Sequence, residues 1–291
     1  MNSVDELLEL LNLEEIDLNL YRGQNYQAPW GRVFGGQVLG QALHAAYETV
    51  PDNRIAHSLH GYFILTGDVS KPVLYDMETL RDGGSFTTRR VTAKQHGKAI
   101  FNLAASFKTP RKGLDHQIEM PQVPPPEELK SDIELIEGYK ESNPKLYKAF
   151  SNERPIEFRP VEQMDYLNQE KKEPFRHVWL KAKGQLPDDL RSHQEVLAYA
   201  SDYNLLGTSL LPHRDEAMYG TYFLASLDHA MWFHRPFRVD EWLLYVLDSP
   251  SASNSLGFNR GSIFNRDGVL VASVTQEGLM APMRKKDLSD S

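Results

Sequence analysis

Between Gly220 and Met280 the chain alternates apolar and polar positions in several short runs separated by turn residues, the pattern of antiparallel strands. Period two places Leu270, Ala272, Val274 and Gln276 on one face of a strand, so an amide ends an apolar row. In Tyr222-Phe223-Leu224-Ala225-Ser226 the same spacing puts Tyr222, Leu224 and Ser226 together, and a hydroxyl ends that face. Upstream, residues 189–206 follow helical spacing. There Asp202 has Ala198, Tyr199, Leu205 and Leu206 as its three- and four-residue neighbours, which sets a carboxylate among apolar groups.

The rest of the chain carries related patterns. Residues 4–12 read as a short amphipathic helix. After the Gly35-Gly36 turn, Val38, Ala42 and Ala45 recur at helical spacing in a segment of small residues that lets another backbone come close. Strands are predicted over 57–65, 73–80, 85–95 and 98–108, broken at Thr66-Gly67-Asp68, Asp82-Gly83-Gly84 and His96-Gly97. Residues 110–174 differ in character. They hold nine of the 17 prolines amid many charges and read as a connector, with a helix near 131–139 and an extended piece around 154–161. The first pattern then returns, with a strand at 177–183, the helix at 189–206 and the strands already described.

Laying His96-Gly97-Lys98-Ala99-Ile100 over Asp267-Gly268-Val269-Leu270-Val271 brings Gln276 onto Ala105. Ser58-Leu59-His60 lies over Ser226-Leu227-Asp228 in the same way. The expected architecture is α+β, a double hotdog: two repeats, each a long helix wrapped by an antiparallel sheet, with repeats at 1–109 and 175–291 and the connector at 110–174.

Composition narrows the function. A hydrophobic share of 41% and a charged share of 25% are those of a soluble globular protein. The net charge of −8 argues against a nucleic-acid partner or an anionic membrane, though not against a small anionic ligand. With no cysteine there is no thiol nucleophile, disulfide, Cys-bound zinc or iron–sulfur cluster. No secretory signal and no apolar run of spanning length is evident, and Asp287-Leu288-Ser289-Asp290-Ser291 is not a peroxisomal address, so a cytoplasmic location is expected.

The motifs then converge on one family. Tyr21-Arg22-Gly23-Gln24, Val33-Phe34-Gly35-Gly36-Gln37, residues 57–63 and Glu78-Thr79-Leu80-Arg81-Asp82-Gly83 in the first half, with Tyr199-Ala200-Ser201-Asp202, Leu227-Asp228-His229-Ala230-Met231-Trp232-Phe233-His234-Arg235 and Thr275-Gln276-Glu277-Gly278 in the second, resemble the acyl-CoA thioesterase II family, the TesB type. The resemblance runs from about Leu7 to Met280 apart from the connector. It implies hydrolysis of acyl-CoA to a fatty acid and coenzyme A, with no metal, cofactor or covalent intermediate, in a homodimer or larger homo-oligomer. It also implies a catalytic set of Asp, Thr or Ser, and Gln, which falls on Asp202, Ser226 and Gln276, the polar residues that the patterning singles out.

In that chemistry Asp202 takes a proton from water, and burial raises its pKa toward a useful range. Ser226 and Gln276 orient the water. The Gly35-Gly36 turn is the candidate oxyanion site, and His57 is a second-rank site residue. Without the family match, a strand serine bonded to backbone and a strand-end glutamine facing solvent are the ordinary readings of Ser226 and Gln276.

Two pairs of histidines (His57 and His60, His229 and His234) raise the question of a metal. His57 and His60 are three apart on a strand and face opposite ways, no His-Glu-x-x-His occurs, and no metal site is expected. Arg89, Arg90, Arg235 and Arg260 are candidates for CoA phosphates, with solvated surface arginine as the default for each. An α/β-hydrolase lacks its Gly-x-Ser-x-Gly elbow here. A hotdog enoyl-CoA hydratase would need the Pro and His of Gly-Asp-x-Asn-Pro-x-His, which Asp202-Tyr203-Asn204-Leu205-Leu206 does not supply. The alternative from another class is a catalytically silent acyl-CoA sensor.

Overall fold

The computed structural model describes residues 1–28, 31–163, 167–217 and 221–283. Gly220 and the last five residues, both invoked above, lie outside the described residues.

Helix α1 (Val4–Leu11) begins at Ser3, whose hydroxyl accepts the Glu6 N–H, and it buries Val4, Leu7 and Leu11. Helix α2 (Gly35–Tyr47) is buried almost all round, with only Gly35 and His44 partly exposed. Its small residues let α5 (Leu190–Ser201) lie against it in the opposite direction: the start of α2 at Gly36 meets Tyr199, while Tyr47 at its end bonds Gln194.

Around these helices runs a single antiparallel sheet. The first half supplies β1 (Glu14–Asp17), β2 (Leu20–Gly23), β3 (Ile55–Phe63), β4 (Val73–Asp82), β5 (Phe86–Gln95) and β6 (Lys98–Lys108). The second supplies β7 (Ile156–Pro160), β8 (Phe175–Ala182), β9 (Tyr222–Ser226), β10 (Asp228–Phe233), β11 (Leu243–Ser253), β12 (Leu256–Asn265) and β13 (Leu270–Pro282). The spatial order is β1-β2-β4-β5-β6-β3-β10-β13-β12-β11-β8-β7, with β9 also paired to β13. The order is symmetric about the β3–β10 contact, and each half runs two strands, a long helix and then the remaining strands in the same arrangement. This is the double hotdog.

The register fixes which residues correspond. A bulge between Ala93 and Lys94, opposite Phe101 and Ala99, recurs between Ile263 and Phe264, opposite Ala272 and Leu270. Counted from these matched bulges, Gln276 stands where Ala105 stands. Leu59 faces Ala105 across β3–β6, so its counterpart opposite Gln276 is His229. Ala56, opposite Phe107, corresponds to Ser226, opposite Gly278. The alignment of Ser58 with Ser226 is therefore two residues out. The same bulge in β13 overturns one facial assignment: Leu270 packs against the outer cluster, whereas Ala272 and Val274 belong to the core.

The proline-rich segment is more structured than a linker. The predicted helix is α3 (Asp132–Glu137) and the extended piece is β7, but α4 (Pro144–Phe150) was not expected, although Asn143 caps it and Pro144 occupies its first turn. Met120, Val123, Leu129 and Val161 cover an apolar cluster of Trp179, Trp242, Leu244 and Phe264, and the Trp179 indole donates to the Pro124 carbonyl at 2.9 Å. Leu243 and Tyr245 alternate with Leu244 and belong to the core under the helices. Strand β11 is thus buried on both faces, which accounts for its unbroken apolar run.

Candidate active site

Helix α5 ends at Ser201, and Asp202 is its C-cap rather than an interior residue. Two residues on, Asn204 adopts a left-handed backbone with φ of 67°, so the helical neighbours expected at Leu205 and Leu206 lie beyond the break. The carboxylate is nevertheless enclosed, because the chain places three donors around it. The Gln276 Nε2 donates to Asp202 Oδ1 at 2.7 Å. The backbone N–H of Gly36 and the hydroxyl of Ser226 donate to the same carboxylate. Burial pushes the Asp202 carboxyl above the usual carboxylate range, and these three hydrogen bonds only partly oppose it.

The Gly-Gly pair makes this approach possible. A Cβ on Gly35 would stand 2.7 Å from Asp202 Oδ2, and one on Gly36 would stand 2.3 Å from the Tyr199 carbonyl oxygen. The N-cap of α2 is Phe34, which offers no capping side chain, so the carboxylate from the second half fills that role for the first half's helix. The structure therefore brings Asp202, Ser226, Gln276, Gly35 and Gly36 together.

It does not bring His57 to them. That ring bonds Ser106 Oγ at 2.8 Å and stacks edge-on to Phe86, both in the first half's sheet. Burial, then Lys108 and His60, push its pKa down. His60 lies edge-on to Trp232, and His234 bonds Ser273 Oγ at 2.9 Å. Among the described residues no three His, Cys, Asp or Glu side chains converge as metal ligands.

The four arginines singled out for phosphates are all engaged. Arg90 pairs with Glu78, Arg260 with Asp248 and Arg235 with Asp115, while Arg89 is buried and bound to Thr49 and Asp82. Arg32, not singled out, lies just before the α2 turn with its guanidinium 5.1 Å from the centre of the Phe223 ring on β9. It has no carboxylate partner among the described residues.

Two further polar side chains share the row of Gln276. Across β10, β13 and β12 stand His229, Gln276 and Asn259, each 1% exposed or less. The His229 Nδ1 lies 3.1 Å from Gln276 Nε2, and its Nε2 lies 3.0 Å from Ser201 Oγ. Burial pushes its pKa down to about 3, so the ring is neutral. The oxygens Gln276 Oε1 and Asn259 Oδ1 are buried with no hydrogen-bond partner among the described residues. A signal for His229 was present: it alternates with Met231 and Phe233 on an inward face, as Gln276 does with Val274.

Two family models match, an acyl-CoA thioesterase N-terminal domain over residues 26–108 and an acyl-CoA thioesterase over residues 146–279. The mouse protein acyl-coenzyme A thioesterase 8 is 45% identical over 282 residues, covering 93% of this chain and 87% of its own. The chain belongs to the acyl-CoA thioesterase II family. An acyl-CoA thioesterase 2 from Haemophilus influenzae is 38% identical, with 95% and 97% of the two chains covered. The crystal structure of an acyl-CoA thioesterase II from Mycobacterium marinum, 40% identical, superposes with a TM-score of 0.78 over 94% of this chain and 98% of that one. Two other residues of the family motifs prove structural. Gln37 bonds Asn25 Oδ1 at 2.7 Å, and Gln24 accepts through its carbonyl from Gln41 at 3.0 Å, which ties β2 to α2.

Proposed function

We propose that the protein hydrolyses acyl-CoA thioesters, with Asp202, Gln276 and Ser226 acting on the attacking water. One observation carries the mechanism: Gln276 gives its nitrogen to a desolvated carboxylate and keeps its buried oxygen unpaired. A water seated there donates one O–H to Asp202 and the other to Gln276 Oε1, which fixes its lone pair toward a thioester carbonyl. Asp202 takes the first proton as the water oxygen bonds to the carbonyl carbon. Collapse of the tetrahedral adduct breaks the C–S bond, and the proton passes from Asp202 to the departing thiolate. The products are the carboxylic acid and free CoA thiol.

Ser226 holds the carboxylate in line throughout. Gly36 is committed to Asp202, so the oxyanion role narrows to the Gly35 N–H at the start of the same helical turn. Arg32, beside both the α2 turn and β9, is the proposed contact for a CoA phosphate. His57, with its partners in the first half's sheet, is assigned no part. The relatives named as acyl-CoA thioesterases and the family membership support this reading.

The same proposal takes residues 1–109 and 175–291 as the two repeats and 110–174 as the connector, which lends its strand β7 to the edge of the second half's sheet, in a cytoplasmic homodimer or larger homo-oligomer. Among the described residues no helix is long and apolar enough to cross a membrane. The test is release of CoA thiol from saturated acyl-CoAs of graded chain length. The cysteine-free chain contributes no background thiol. Turnover is expected; binding without turnover at any chain length sinks the enzyme and favours an acyl-CoA sensor.

A further inference from the structure

We propose that His229 is a positioning residue which, together with Ser201, locks the Gln276 amide in the one orientation that leaves its oxygen free for the attacking water. This rests on the hydrolytic reading above.

The hydrogen bonds assign each proton in turn. Ser201 is the last residue of α5 and fully buried, and its hydroxyl donates to the Ala198 carbonyl at 2.9 Å. With its one proton spent, Ser201 Oγ accepts from His229 Nε2 at 3.0 Å. A neutral imidazole protonated at Nε2 has a bare Nδ1. That nitrogen accepts one N–H of Gln276 at 3.1 Å, while the other N–H goes to Asp202 Oδ1 at 2.7 Å. Turning the amide over would point its oxygen at two lone pairs, forfeit both bonds and present an NH2 to the water.

The carboxylate by itself enforces this only while it is ionised. Once Asp202 holds the water's proton, its O–H is able to donate to a turned Gln276 oxygen. His229 has no such second state, because Ser201 keeps the ring proton on Nε2. It therefore holds the amide whichever protonation state Asp202 is in, so the oxygen is already in place when the next water arrives, and it acts through Gln276 rather than on the substrate. In the first half the same place is held by Leu59, opposite Ala105, where there is no amide to orient.

Three variants separate orientation from packing. His229→Asn retains an acceptor where Nδ1 stands, His229→Gln retains a donor toward Ser201 without that acceptor, and His229→Leu removes both. Expected kcat falls are within about 10-fold for Asn and roughly 100-fold for Gln and Leu, with KM within about 2-fold throughout. In a Gln276→Ala background, His229→Leu is expected to cost nothing further. Losses that follow the melting temperature rather than the acceptor, or that add to those of Gln276→Ala, overturn the proposal.

The ring's nitrogen-15 NMR spectrum reads the same geometry without turnover. A bare Nδ1 and a protonated Nε2 are expected, and a protonated Nδ1 overturns the proposal even in an active enzyme. A parent protein that turns over no acyl-CoA while showing the expected tautomer overturns the hydrolytic reading instead.

Discussion

Two rows of side chains occupy corresponding places in the two halves, and they differ at every position. In the first half Leu59, Ala105 and Arg89 lie across β3, β6 and β5. In the second, His229, Gln276 and Asn259 lie across β10, β13 and β12. Next to these rows Ala56 corresponds to Ser226. Leu59, Ala105 and Ala56 are 1% exposed or less, and the buried Arg89 spends its guanidinium on Thr49 and Asp82. One backbone thus supports either a filled core or a polar row. Which one results depends on whether the carboxylate at the facing helix end turns inward: the side chain of Asp202 at the end of α5 is buried, whereas its counterpart Glu48 at the end of α2 is exposed and paired with Arg191.

The largest effect that tests this contrast is at the carboxylate. Asp202→Asn is expected to lower kcat about 1,000-fold, the scale of a lost general base, with acyl-CoA binding retained by calorimetry. Gln276→Ala gives the second half the residue of the first and is expected to cost roughly 100-fold in kcat at similar KM. The reverse graft, Ala105→Gln, buries an amide with no carboxylate or histidine to meet it; a loss of about 2 kcal/mol in denaturant unfolding and no gain in activity are expected. Ser226→Ala, which copies Ala56, should cost about 10-fold in kcat, and Ser226→Thr should restore most of it, since either hydroxyl can donate to the carboxylate.

The smallest effects are in stability against pH. The folded-state pKa of Asp202 is raised by burial, so the native protein binds more protons there than the unfolded chain. Relative to Asp202→Asn, the parent should therefore lose stability as pH rises from the ordinary value of 3.8 through the raised one. His229 has the opposite sign. Its pKa falls from 6.5 to about 3, so the stability linked to its neutral form is complete above 6.5 and drains away as pH falls toward 3. Chemical denaturation of the parent and His229→Asn over that interval checks it, and a pH-independent difference between them counts against a buried neutral ring.

Much of this contrast was legible in the sequence. Asp202, Ser226 and Gln276 stood out because each puts a polar group where periodicity calls for an apolar one, and the helix–strand order of both halves followed from the same periodicity. His229 carried that signal as well. His229 was obscured by its aromatic neighbours and by its pairing in sequence with His234, which raised a metal question. Asn259 was obscured by its flanking glycines, Gly257 and Gly261, which present no apolar row. Arg32 had no local mark at all, since its place over Phe223 depends on how β9 returns along β13. The end of α5 was misjudged because the apolar Leu205 and Leu206 continue the helical spacing past the left-handed Asn204. The docking of the proline-rich segment was hidden for a different reason, as its partner surface forms only when β8, β11 and β12 come together.

The bond from Gly36 to Asp202 joins the first half's helix to the second half's carboxylate within one polypeptide. Between separate subunits such a contact would be populated according to protein concentration. Within a single chain it is governed by a fixed effective concentration, so diluting the protein does not part the two groups. The covalent link also frees the partners from identity: a mutation in one half is not copied into the other, and one copy can keep the scaffold while the other keeps the chemistry.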